Sequence, residues 1–131
     1  EIGDVSAVPA LIEALDDESA EIRYLATKSL GKLKDKRAVD PLIHVLTSED
    51  KWVRHGAAKA LGLIGDPKAV DALIPLLKDR YHDVRAHAAW ALGELGDPRA
   101  IESITPLLKD EKTDVRKESE KALEKLRSKK V

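Results

Sequence analysis

The sequence predicts an all-α fold, a right-handed α-solenoid built from four 31-residue helical hairpins. Three observations carry that expectation. The chain repeats itself: "DKRAVDPLIHVLTSEDKWVRHGAAKALGLIG" and "DPKAVDALIPLLKDRYHDVRAHAAWALGELG" share 15 of 31 positions without a gap, far beyond chance. Apolar residues fall at helical spacing in both halves of each unit, and no segment alternates as a strand does. The 43% hydrophobic content is nearly all Ala, Leu, Val and Ile, with no Phe or Met, which suits helices packed through small side chains.

The units span 4–34, 35–65, 66–96 and 97–127, and residues 1–131 read as one domain. Each opens on an Asp able to cap free backbone amides, followed in two units by Pro67 or Pro98 at the first helical position. The first helix carries a stripe such as Ala69, Val70, Leu73, Ile74 and Leu77. Pro75 and Pro106 fall late in these helices and predict a kink or a shortening. A polar turn follows. The second helix shows Val84, Ala88, Ala91, Leu92 and Leu95 on one face, and Gly65 or Gly96 stops it. One hairpin cannot bury such a stripe alone, so the units must stack, and the alanine ranks at 26, 57 and 88 and at 60, 91 and 122 allow close approach.

The ends differ from the middle. Thr105, Ser119, Glu120 and Glu124 put polar groups where other units mostly carry Ile, Ala and Gly, so the fourth unit is expected to be a water-facing cap. Ile2 and Gly3 fall in the columns of Ile64 and Gly65, as if a preceding unit were missing from a longer array.

The patterns "DPxAxxxLxxLLxD" and "DVRxxAAxALGxLG" resemble the HEAT repeat, specifically the short type of the bilin (phycocyanobilin) lyases, and the likeness spans residues 4–127. The chain is also similar to artificial helical repeat proteins derived from that family, although its unequal cores point to a natural sequence. The resemblance implies a ladder in which an Asp of the inter-helix turn and an Arg six residues later bond along the solenoid. The matching pairs are Asp17 with Arg23, Asp79 with Arg85, and Asp110 with Arg116. Ser48 stands before Arg54, so the rung of the second unit is expected to be weaker. The resemblance further implies that the second helices line the concave side, and it allows a lyase-like, chromophore-handling or enzyme-accessory role. Fold alone does not decide function.

Function is sought where the repeats differ. Unit positions 18, 21, 22, 25 and 29 vary most within the second helix and share one face. They hold Tyr24 and Lys28; Trp52, His55, Gly56 and Lys59; and Ala86, His87, Trp90 and Glu94. Three of the four Trp and Tyr residues lie on this face, and exposed aromatics among polar groups are the usual anchors of protein interfaces. Trp90 stands in a column otherwise filled by Lys28, Lys59 and Lys121, so the scaffold needs no aromatic there. Gly56 and Ala86 are expected to leave a hollow among Trp52, His55, Lys59, His87 and Trp90. The expected role is a non-catalytic scaffold gripping a protein or peptide partner, as a monomer or as part of a longer array, with no cofactor.

Other chemistries find little support. The 23 basic against 24 acidic residues give a net charge of −1, and the variable face itself carries six Lys against five acidic groups, which is no phosphate-binding stripe for nucleic acid. Some HEAT-repeat hydroxylases hold a di-iron centre through His-Glu pairs, but His44, His55, His82 and His87 are followed by Val45, Gly56, Asp83 and Ala88. No nucleophile elbow or glycine-rich phosphate loop appears. No apolar run approaches the roughly 18 residues of a membrane span. The lack of Cys and of any leader pattern predicts a soluble, cytoplasmic chain, and 36% charged residues with few oxidisable side chains point to a thermophile.

Overall fold

A computed structural model describes residues 5–130, with side chains placed for 6–128. The expectations resting on Ile2, Gly3 and Asp4 lie outside the described residues. Within them the chain is helical throughout, and four short helices alternate with four long ones. The short helices are α1 (Val8–Ala14), α3 (Val39–Val45), α5 (Val70–Leu73) and α7 (Ile101–Ile104). The long ones are α2 (Ala20–Leu33), α4 (Lys51–Ile64), α6 (His82–Leu95) and α8 (Thr113–Lys130).

The aspartates act as the sequence predicts. Carboxylates of Asp35, Asp66 and Asp97 accept the backbone N–H of Arg37, Lys68 and Arg99 at 2.9, 3.0 and 2.9 Å. Each cap opens a 3₁₀ turn that leads into the short α-helix. Pro75 and Pro106 shorten α5 and α7, because each lacks the N–H of an α-turn, and the chain continues as 3₁₀ helix over Ile74–Lys78 and Thr105–Lys109. Ser19 and Asp50 cap α2 and α4. Gly65 and Gly96 end α4 and α6 in the left-handed region, at φ 79° and 73°. Lys34 takes the same conformation after α2, at φ 55°, without a glycine's freedom.

The long helices form one layer, α2 on α4, α4 on α6 and α6 on α8, and the short helices pack beneath as a second layer. Leu30, Leu42, Leu61, Leu73, Leu92 and Leu123 fill the space between the layers and are fully buried. This is a helical solenoid, stabilised by stacking of neighbouring hairpins. Ala60, Ala91 and Ala122 face Gly31, Gly62 and Gly93 of the preceding long helix, so one of the two predicted alanine ranks sits at the closest helix–helix approach. Of the fourth unit's polar positions, Thr105, Glu120 and Glu124 face solvent. Ser119 does not: it is completely buried in the column of Ala26, Ala57 and Ala88, and its Oγ has no hydrogen-bond partner.

The ladder exists in a different register from the one the resemblance implied. Across six residues each arginine reaches only a backbone carbonyl: Arg23 to Asp17, Arg54 to Ser48, Arg85 to Asp79 and Arg116 to Asp110, at 2.6–2.8 Å. Any residue supplies that oxygen. The carboxylate instead binds the arginine of the preceding unit, Arg54 to Asp79 and Arg85 to Asp110, in bidentate pairs. Ser48 therefore leaves Arg54 fully paired. The arginine that loses its carboxylate is Arg23, which makes no ion pair among the described residues.

Candidate functional site

The variable positions come together on the exposed face of the layer of long helices. Tyr24, Trp52, His55 and His87 form a line of touching rings across α2, α4 and α6. Their centroids lie 6.2 Å (Tyr24–Trp52), 5.8 Å (Trp52–His55) and 4.0 Å (His55–His87) apart. The first two contacts are edge-on, the geometry that aromatic quadrupoles favour. Trp52 remains 51% exposed although it anchors this line.

Trp90 is placed differently from the displayed residue expected. It is half-buried and packs on the core, its Cζ3 lying where a methyl group at Gly62 would come within 2.5 Å. One face of the indole covers α4 and the rest borders open grooves. The expected hollow exists in two parts, neither bordered by Trp52: Ala86 borders one groove with Lys59, His87 and Trp90, and Gly56 borders another with His55 and Lys59, narrowed at Gly56 from the side of α2. A β-carbon there would overlap Thr27 Oγ1, so this glycine admits the side chain of α2, not a ligand. Thr27 Oγ1 is itself occupied, donating to the Tyr24 carbonyl at 2.6 Å.

Two grooves flank the ring line. One, of about 170 Å³, lies between α2 and α4, with Tyr24, Gly31, Ala60 and Leu63 as an apolar floor and Lys28, Lys32 and Lys59 around it. The other, of about 400 Å³, lies between α6 and α8 and is lined by Ala86, His87, Trp90, Asp83, Asp114 and Glu118, with Lys59 at its edge. Glu94 sits outside both, paired with Lys125.

Electrostatics sets the protonation states. Burial, together with the neighbouring His87, pulls the His55 imidazole down to about 4, so His55 is neutral near pH 7. Its Nδ1 is buried without a partner. His87 Nδ1 meets the Asp83 carbonyl at 3.0 Å. Burial pushes the Asp83 carboxyl upward, but Lys51 at 3.6 Å, a backbone hydrogen bond and the nearby His55 and His82 together outweigh it and hold the group below its usual range. Among the described residues no three His, Asp or Glu side chains are arranged to hold a metal ion. No described helix is long and apolar enough to cross a membrane.

Sequence reasoning missed Lys51 and Tyr81. Lys51 Nζ lies 5.2 Å from the Trp52 ring, 4.6 Å from the Tyr81 ring and beside Asp83, tying α4 to the start of α6. Lys51 precedes the variable columns by one position, and Tyr81 lies just before α6. An exposed aromatic beside a helix start was the available signal.

Residues 8–84 and 70–131 match the model for HEAT repeats, and the chain belongs to the HEAT-repeat family. No curated protein matches it in sequence. Among solved structures it is similar to the complex of CpcE and CpcF of phycocyanin lyase from Nostoc sp. PCC7120, at 32% identity and a TM-score of 0.88. That likeness covers 96% of this chain and 55% of the other, so the chain spans little more than half the length of that relative. Human deoxyhypusine hydroxylase is similar at 25% identity, with 94% and 44% covered and a TM-score of 0.76. A designed armadillo repeat protein in complex with the peptide (KR)4 shares the fold at 22% identity, with 94% and 65% covered and a TM-score of 0.80.

Proposed function

We propose that the chain is a non-catalytic scaffold that binds a protein partner on the exposed face of α2, α4 and α6. The observation that carries this reading is the line of four rings, held in successive contact and presenting a half-exposed Trp52 within it. A rigid aromatic presented from a packed helix loses little entropy on binding, which is why Trp and Tyr dominate interface energetics. Trp52 is the better anchor than Trp90, whose indole also serves packing. Capture of partners on immobilised wild type, Trp52→Ala and His44→Ala tests the reading. His44 is exposed on α3, in the other layer. Loss of a specific partner with Trp52→Ala, at unchanged helicity and with His44→Ala unaffected, is the expected result; equal retention by all three overturns it.

A second reading, an accessory role in a lyase-like reaction on a chromophore, is favoured by the 32% identity to the CpcE–CpcF complex. Mixing the chain with a linear tetrapyrrole and recording its absorption distinguishes the two. A red-shifted band abolished by Trp90→Ala supports the accessory role, and an unaltered spectrum supports the scaffold.

A further inference from the structure

The face that carries the ring line is electrically divided. The groove between α2 and α4 is lined by Lys28, Lys32 and Lys59 with no carboxylate, and none of the three is in an ion pair among the described residues. Three lysines elsewhere in the chain are in ion pairs, Lys51 with Asp83, Lys68 with Asp40 and Lys125 with Glu94; what sets the groove apart is that three ammonium groups converge on it without a carboxylate. Lys28 leans over the Tyr24 ring at 5.6 Å, leaving its ammonium at the groove. Across the His55–His87 contact the neighbouring groove carries Asp83, Asp114 and Glu118 on its walls with Lys59 at its edge. Asp83 is paired with Lys51 and Asp114 meets His82 Nδ1 at 2.9 Å, so Glu118 is its carboxylate outside any ion pair among the described residues.

We propose that the Lys28–Lys32–Lys59 groove is an anion pocket that receives an acidic side chain of a partner protein, followed in that partner by neutral or basic residues. This rests on the scaffold reading above and names the chemistry of its partner. Three unpaired ammonium groups around an apolar floor favour a carboxylate attached to an aliphatic stem. A long polyanion is a poor occupant, because a nucleic-acid strand continuing past His87 would meet three carboxylates. The two grooves lie about two helix spacings apart, roughly 16–20 Å, so an extended segment places its acidic and basic side chains about five residues apart.

The test is fluorescence anisotropy on the full chain with three labelled decapeptides and a single-stranded oligonucleotide. One peptide carries a Glu pair and, five residues on, an Arg pair; one carries Glu at all four places; one carries Arg at all four. The expected result is at least tenfold tighter binding of the mixed peptide than of either uniform one. That advantage disappears in Lys28→Glu plus Lys32→Glu, and Glu118→Lys raises affinity for the all-Glu peptide. Preference for the oligonucleotide, complete competition by millimolar inorganic phosphate, or indifference to the lysine substitutions overturns the proposal. A captured partner that needs Trp52 but ignores these lysines refutes the charge assignment alone, whereas a partner indifferent to both refutes the scaffold reading as well.

Discussion

The Arg54 guanidinium donates from Nε and Nη2 to the two carboxylate oxygens of Asp79, at 2.7 and 3.1 Å, joining the second hairpin to the turn of the third. Both side chains are nearly buried, 12% and 8% exposed. Removing one partner of such a pair strands a desolvated charge, so Asp79→Ala should cost about 3 kcal/mol in denaturant unfolding. Ser48→Asp tests the same register from the other side. Ser48 Oγ accepts the Asp50 N–H as Asp79 Oδ1 accepts that of Tyr81, so an aspartate fits the turn and gives Arg23 its missing carboxylate. A gain of about 1–2 kcal/mol is expected, and it should vanish when Arg23→Ala is added.

Gly56 separates two accounts of the same position. If it left room for a ligand, alanine would stabilise α4 by roughly 0.5–1 kcal/mol. Because the methyl meets Thr27 Oγ1, Gly56→Ala should instead destabilise by about 1–2 kcal/mol, and adding Thr27→Ala should restore most of the loss. Thermal melts of the two variants decide the matter.

Ser119 offers a simple gain. Its hydroxyl is buried without a partner in a column that is alanine in the other three units. Ser119→Ala should raise stability by about 1 kcal/mol, read as a higher midpoint in guanidinium.

The His55 ring links stability to pH. Its folded-state pKa, about 4, lies below the ordinary value of 6.5, so between these values the unfolded chain binds the proton and the folded chain does not. Stability is then full above about pH 6.5 and falls as the pH drops toward 4. The ring is only half-buried, and solvent screening limits the effect to on the order of 1 kcal/mol. Comparing unfolding of wild type and His55→Gln at about pH 7.5 and pH 5 isolates it from the carboxylates: the wild type should lose more.

How much was legible in the sequence follows from what kind of interaction each feature needs. The helices, their Asp and Gly boundaries, the 3₁₀ tightening at Pro75 and Pro106 and the core leucines are local or periodic, so the repeat exposed them. The ladder register was misread because spacing within one unit cannot show that the Asp79 carboxylate turns toward Arg54 of the unit before it. Gly56 and Trp90, which do border grooves on the expected face, were only partly legible for a related reason. A column that varies on one helix is filled or covered by the neighbouring helix, here by Thr27 and by the contact with Gly62. The grouping of Tyr24, Trp52, His55 and His87 was legible, because one helix face repeated at a fixed period stacks its variable positions side by side.

The most direct measurement of the central proposal is hydroxyl-radical footprinting of the chain alone and with a captured partner, since Trp and Tyr side chains report their own exposure. The scaffold reading predicts that Trp52 and Tyr24 become protected while His44, on the opposite layer, keeps its reactivity. Protection of His44 with Trp52 and Tyr24 unchanged would contradict it.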